Sequence, residues 1–226
     1  MAKTVTIAID GPAGAGKSTI ARKLAAELGY YYVDTGAIYR TVAYCLDLLG
    51  ISPKDLDGVS RYIDELTVEI EYDEEGKQHM IMNGMDVTDE IRTPDISQKA
   101  SLVSAHAVVR DMLLDMQRDV AKKHNVIMDG RDIGTVVLPR ATVKIFLTAS
   151  AEVRAQRRCD ELLAKGQKAN LAQVLKEIQQ RDHQDMTRAV APLKQAKDAV
   201  KVDTSDLDIE GVVAAIREII AAKVKA

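Results

Sequence analysis

One stretch limits this chain more than any other: Gly11-Pro12-Ala13-Gly14-Ala15-Gly16-Lys17-Ser18. It fits G-x-x-x-x-G-K-[ST], the P-loop pattern for phosphate binding. Its flanks fit as well. Thr4 to Ile9 is β-branched or small and apolar, as a buried strand requires. Ser18 to Glu27 reads as a helix, with Ile20, Ala21, Leu24 and Leu28 on one face, and Gly29 stops it as a C-cap residue would. Glycines let the backbone turn through conformations closed to other residues. Their N–H groups can then form an anion-binding nest, and the start of the next helix adds partial positive charge. In that frame Lys17 reaches the β/γ-phosphates and the Ser18 hydroxyl takes a place on Mg²⁺. Without strand and helix in register, the same stretch is only a glycine-rich turn.

Composition bounds the rest. At 226 residues the chain is one large domain, or a core with a small insert, long enough to bury a sizeable core. The net charge of -3 offers no overall basic field for nucleic acid. With no Trp, one Phe and seven Tyr, a stacking surface for single-stranded bases is not expected. Cys45 and Cys159 stand far apart in helical patterns and form no C-x-x-C, so free thiols in a reducing cytosol are the plain reading. No signal peptide and no membrane-length apolar run is seen, which predicts a cytoplasmic protein away from membranes. His79, His106, His124 and His183 have no paired ligand spacing, and His183 is expected on exposed helix surface.

The pattern along the chain alternates. Tyr30 to Val33 reads as a strand, Asp34-Thr35-Gly36 as punctuation, and Ala37 to Leu49 as a helix. Pro53 is placed to open another helix running to about Leu66. The period then changes. Thr67 to Tyr72, His79 to Met82 and Met85 to Val87 read as short strands around turns at Gly76 and Asn83-Gly84, a small antiparallel insert at roughly residues 65–90. Helices resume from about Pro94 to His124. Val126 to Met128 runs apolar into Asp129-Gly130-Arg131-Asp132, and Val143 to Leu147 is a further strand. Helices at about Ser150 to Lys165 and Leu171 to Arg188 precede a last strand, Ala199 to Val202, and a last helix, Ile209 to Lys223. Alternation of this kind predicts an α/β fold with a mostly parallel sheet. Ligands in such sheets sit beyond the carboxyl ends of the strands. The P-loop, Asp34-Thr35-Gly36 and Asp129 to Asp132 all fall at such ends and should meet in one crevice.

Arginine is gathered around that crevice. Arg40 and Arg131 follow strands. Arg181, Asp185 and Arg188 share a helical face at i, i+4, i+7, and Arg154, Arg157 and Arg158 cluster on the preceding helix. Arginine presents a planar fork suited to phosphate oxygens, and two anionic ligands in one crevice would need this much charge. Each group also has a plainer reading: a surface ion-pair ladder for Arg181–Asp185–Arg188, a solvated face for Arg154 and Arg157, a helix-turn cap for Arg40. Arg131, between Gly130 and Asp132 at the ligand end of the sheet, is hardest to dismiss. Asp129 ends an apolar run in the Walker B manner and suggests an indirect hold on Mg²⁺. Its plainer reading is a strand-end turn aspartate.

Five segments together resemble the bacterial cytidylate kinases. They are the P-loop, Asp34-Thr35-Gly36-Ala37-Ile38-Tyr39-Arg40, Glu90-Ile91-Arg92-Thr93, Asp129 to Val137, and Arg188-Ala189-Val190-Ala191-Pro192-Leu193. They span nearly the whole chain in order. The resemblance implies a P-loop nucleoside monophosphate kinase-like fold. Its parallel sheet is flanked by helices, with a β insert on the monophosphate side (about 37–105) and a helical lid (about 152–188), all in one kinase domain over 1–226. It implies transfer of phosphate from ATP to CMP and dCMP, with Mg²⁺, in pyrimidine nucleotide metabolism. The ATP set is then Gly11, Pro12, Ala13, Gly14, Ala15, Gly16, Lys17, Ser18 and Thr19. Arg154, Arg157 and Arg158 fall in the lid; Arg157 and Arg158 are the candidates for ATP, with their individual phosphate contacts left open. Thr35 matches a hydroxyl residue near the monophosphate, and Arg40 and Arg131 match arginines on the CMP phosphate. Ser101, Arg110, Asp132 and Arg188 match residues around cytosine, and Arg181 and Asp185 those near the pentose and the transferred group. Lys17, Arg131, Arg181 and Asp185 form the catalytic set. Ser18 stands where some members have Gly. Metal contacts fall to Ser18 and, indirectly, Asp129. A monomer is expected, since no helix has an all-round apolar face.

Two other functions stay open on the sequence. One is a kinase for a different acceptor, such as UMP or shikimate. The other is a nucleotide-binding switch without an acceptor. A hydroxyl acceptor would want a positioned carboxylate base, which the chain does not offer, and a switch needs no second phosphate pocket.

Overall fold

The computed structural model describes residues 4–224; residues 1–3 and 225–226 of the expected single domain lie outside them. Its main layer is a five-stranded sheet built of β1 (Thr6–Asp10), β2 (Tyr31–Asp34), β6 (Val126–Gly130), β7 (Val143–Thr148) and β8 (Val200–Asp203), in the order β2-β6-β1-β7-β8. Every pairing is parallel. The strands are continuous apolar runs because both faces are covered. Ile7, Ile9, Ile127, Ile145 and Leu147 pack on one side against α1 (Lys17–Leu28) and α8 (Ile209–Val224). Ala8, Val33, Val126 and Met128 pack on the other, against α2 (Thr35–Leu48) and α5 (Ala107–Lys123). The chain leaves β1 toward β2 on one flank and β6 toward β7 on the other. A crevice therefore opens above the adjacent β1 and β6.

The insert is a separate antiparallel sheet of β3 (Val68–Tyr72), β4 (Gln78–Met82) and β5 (Met85–Asp86). Asn83 and Gly84 both have positive φ, 49° and 78°, as the tight turn between β4 and β5 requires.

One local expectation needs correction. The helix after Pro53 is α3, Leu56–Ile63 only. Asp55 caps it by accepting from Gly58 N–H at 3.0 Å, while Pro53 sits inside a turn closed by Asp55 N–H to the Ser52 carbonyl, a turn position proline also favours. The helical region 94–124 is two helices, α4 (Pro94–Val103) and α5, broken at Ser104–His106. After Asp132 the chain makes a single π-helical turn over Ile133–Val137.

The helices α6 (Ala151–Ala164) and α7 (Leu171–Thr187) form a hairpin with its own small core of Ala155, Cys159, Val174 and Ile178. No helix among the described residues is long and apolar enough to cross a membrane.

Candidate active site

The P-loop is shaped by its glycines. Gly11 has φ 152°, and a Cβ there would overlap the Leu147 carbonyl oxygen of β7. Gly16, at φ 85°, is the N-cap of α1 without any side-chain cap, so the first N–H groups of the helix stay open. Lys17 is buried and its Nζ donates to the Pro12 carbonyl at 2.8 Å. Burial first, and then the neighbouring Arg131, lowers its pKa to about 7. Gly14 and Thr19 are exposed at the mouth of the loop.

Beneath Lys17 lies Asp129. Its carboxylate accepts from Ser18 Oγ at 2.9 Å and from Tyr32 OH at 2.9 Å, and its carbonyl accepts from Thr35 Oγ1 at 2.7 Å. Burial and the Asp34 carboxylate raise its pKa to about 6. No cluster of three His, Cys, Asp or Glu suited to a metal exists among the described residues. One hydroxyl and one carboxylate are what Mg²⁺ asks of a protein when phosphates and waters complete its octahedron. The residues present therefore fit that ion.

The second half of the crevice is built of ion pairs. Arg40 NH2 meets Asp34 Oδ2 at 2.9 Å. Arg131 Nε donates to Asp185 Oδ2 at 2.8 Å, and Ser101 Oγ donates to Asp185 Oδ1 at 3.3 Å. Burial works against the Arg131 charge, but Asp185 more than offsets it. Asp185, despite its own burial, is held below the usual carboxylate range by Arg131 and Arg181. Asp132 is clasped by Arg110 and by Arg188, the latter at 3.4 Å. Arg110 also lies 5.4 Å over the Tyr39 ring. The trio Arg181, Asp185, Arg188 is thus no surface ladder, since Asp185 is 3% exposed. Arg181 is pulled down to about 10 by burial and by Arg131. Two buried donors stand out here: the Nε groups of Arg40 and Arg181 have no partner among the described residues.

The lid arginines separate. Arg154 does not lie on a solvated face. It is 4% exposed and donates to Ala13 and Ala149 carbonyls and, as a fork, to Asp182 at 3.1 and 2.6 Å. Arg157 donates to the Thr204 hydroxyl and carbonyl at 3.0 and 2.6 Å. Arg158 pairs with Glu161 on the outer side of α6. His183 is exposed, as expected.

The model of the cytidylate kinase family matches residues 7–222. A cytidylate kinase of Carboxydothermus hydrogenoformans is 51% identical over 217 residues, covering 96% of this chain and 97% of that one. One from an Exiguobacterium species is 49% identical over 97% of this chain and 98% of its own length. This chain belongs to the cytidylate kinase family. It is accordingly a kinase, a phosphotransferase that binds nucleotides. The fold is shared more widely: an uncharacterised Eubacterium ventriosum protein matches with a TM-score of 0.52 at 13% identity, over 97% of this chain and 99% of that one.

Sequence reasoning overlooked several residues in this cytidylate kinase-family site. Asp10 ends β1, is buried, and accepts from Ile133 and Gly134 N–H at 2.8 and 2.7 Å. Burial raises its pKa to about 6. Tyr32 reaches Asp129, Asp182 holds Arg154, and Ser104 takes hydrogen bonds from Arg110 and Arg188. Asp10 alone carried a signal, an acid ending an apolar strand directly before the P-loop.

Proposed function

We propose that the chain transfers the γ-phosphate of ATP to CMP and dCMP, giving ADP and CDP or dCDP, with Mg²⁺. The observation that carries this reading is the pair of unpartnered buried Nε groups on Arg40 and Arg181, which sit close enough to feel each other's charge, with Lys17 of the P-loop within reach of Arg181. A buried unsatisfied donor costs about 1–3 kcal/mol. Two of them on arginines, facing one crevice, fit an anion that the free protein lacks. The relatives are cytidylate kinases, which supports a cytidine monophosphate as acceptor.

The nucleophile is a phosphate oxygen of the acceptor. A phosphomonoester has its second pKa near about 6, so it is mostly dianionic at neutral pH and needs no general base. Catalysis then reduces to alignment and charge neutralisation. The P-loop from Gly11 to Ser18, with Thr19, cradles the donor phosphates, and Lys17 reaches the transferring group. Thr35, Arg40 and Arg131 hold the acceptor phosphate. Arg181 and Asp185 lie toward the pentose and the transferring phosphoryl, with Asp185 keeping Arg131 charged and aimed. Ser101, Arg110, Asp132 and Arg188 surround the cytosine. Asp132 can accept from its exocyclic amine, and the arginines can donate to its carbonyl and ring nitrogen. Ser18 and Asp129 would hold Mg²⁺, which when bound neutralises charge on the transferring phosphates. Arg157 and Arg158 remain the lid residues assigned to ATP, Arg157 from its seat on Thr204 and Arg158 only after a movement of α6.

We read residues 37–105 as the monophosphate side and 152–188 as the lid of a single kinase domain. The separate four-residue core of α6 and α7 supports a lid that moves as a unit. A cytoplasmic monomer in pyrimidine nucleotide metabolism, binding neither nucleic acid nor membrane, fits this reading.

A coupled ADP-release assay with ATP and Mg²⁺ tests it, offering CMP, dCMP, UMP, AMP and shikimate in turn. Strong turnover with CMP and dCMP and little with the rest is expected. Turnover with none of them, or preference for another acceptor, overturns it.

A further inference from the structure

The edge of the main sheet is closed in an unusual way. Strand β2 pairs with β6 on one side only. On its other side the backbone groups of Tyr32 and Asp34 face away from the sheet, the kind of open edge that invites another strand. No strand pairs there. Instead the Gln78 amide does the pairing: its Oε1 accepts from Asp34 N–H at 2.7 Å and its Nε2 donates to the Asp34 carbonyl at 3.4 Å. Tyr72 OH donates to the Tyr32 carbonyl at 3.0 Å. A primary amide carries the same donor and acceptor as a peptide unit, so Gln78 stands in for one residue of a missing strand. Gln78 is 8% exposed. Tyr72 and Gln78 are directly opposite each other in the β3–β4 register. The small sheet thus touches the large one through this cross-strand pair.

What lies next to that contact is the acceptor end. Asp34 caps α2 by accepting from Ala37 N–H at 2.9 Å, and its other oxygen holds Arg40 at 2.9 Å. Arg40 is one of the two arginines with an unpartnered buried Nε. A continuous path therefore runs from the insert through the Asp34 backbone and carboxylate to the Arg40 guanidinium, whose charge is felt at Arg181.

We infer that Gln78, assisted by Tyr72, is a positioning residue for the acceptor phosphate, acting through Asp34 and Arg40. The inference rests on the acceptor-site reading above. Gln78→Leu removes the amide, leaving the Asp34 N–H without its side-chain partner. Misplacing a binding group by about an ångström can cost up to about 10²-fold, so the KM for CMP should rise roughly ten- to hundredfold. The KM for ATP should stay within about twofold, since the P-loop hangs from β1. Hydrogen exchange of the amides from Asp34 to Arg40 should quicken while that of the P-loop helix does not.

Wild-type protein without CMP turnover would remove the acceptor reading and this inference with it. Wild-type turnover with an unchanged CMP KM in Gln78→Leu removes this inference alone. A fall in melting temperature with both KM values raised together makes the pair merely structural, and also overturns it. Should Gln78→Leu fail to fold, Tyr72→Phe deletes a single oxygen and asks the same question. Loss of one hydrogen bond there is worth about threefold in CMP KM; no change, or an equal change for ATP, counts against the inference.

Discussion

The two ends of the crevice are made of different material. The donor end is backbone: eight consecutive residues, three glycines and a helix terminus without a side-chain cap. The acceptor end is side chain: arginines and aspartates drawn from α2, α5, the strand β6 and α7. At the acceptor end each of Arg40, Arg131 and Arg188 leans on a carboxylate. At the donor end Lys17 has only a carbonyl to bond. At Arg131 the Asp185 partner outweighs burial and the pKa is raised, whereas Lys17 drops to about 7. A backbone site resists change at any atom. A side-chain site can lose one member and keep its frame.

The sharpest way to break that contrast is Gly11→Ala. The added methyl meets the Leu147 carbonyl in a backbone conformation closed to alanine. ATP binding should fall by at least about 10²-fold, the order seen for a positional error of an ångström, while CMP binding, read by calorimetry without ATP, persists. Retained ATP affinity would mean the loop is not held by its backbone. Next comes Arg131→Ala, expected to lower kcat by about 10²–10³-fold with a far smaller effect on thermal stability. A variant with near-normal kcat removes Arg131 from the site. Asp132→Ala should relax the CMP-to-UMP preference by about tenfold or more, the worth of one charged hydrogen bond. Unchanged selectivity in competition assays would sink its role in base readout.

The smallest effect concerns protons. The free-site pKa of Lys17 is about 7 against an ordinary 10.5, and a polyphosphate beside it restores the charged form. ATP binding between those pH values must therefore take up protons, and affinity should weaken as pH climbs above about 7, by at most about tenfold per unit. Calorimetry at pH 8.5 in buffers of different ionisation enthalpy reads the uptake directly. No net uptake would place Lys17 in a wetter setting than its contacts indicate.

The donor end was legible because it is local. Strand, glycines, Lys17-Ser18 and a helix stop at Gly29 lie within one short run, and Gly29 does take φ 67° as the cap of α1. The alternation of strands and helices likewise yielded the parallel sheet and the antiparallel insert. Arg131 stood out by its place between Gly130 and Asp132. Arg154 stayed open between a buried role and a solvated face, because helical spacing does not say which face is covered; its fork is filled by Asp182 on a helix whose fold-back is a tertiary event. Pro53 misled because a turn and a first helical turn both welcome proline, and the Asp55 cap decided between them. The contacts of Tyr32, Asp10 and Gln78 were hidden for one shared reason, although Asp10 itself carried a signal as an acid ending an apolar strand. Each acts on a partner about 40 to 124 positions away, through backbone or carboxylate groups that no periodicity marks.

Asp10 has one further consequence. It is the last residue of the strand that feeds the P-loop, yet its carboxylate grips the turn that follows Asp132. The strand that carries the P-loop and the turn beside Asp132 are therefore stitched together by one carboxylate. On the reading proposed above, that stitch sets the spacing between the two substrate subsites before any helix moves. On that same reading, movement of α6 and α7 is then left to bring Arg158 to the donor and to keep water out.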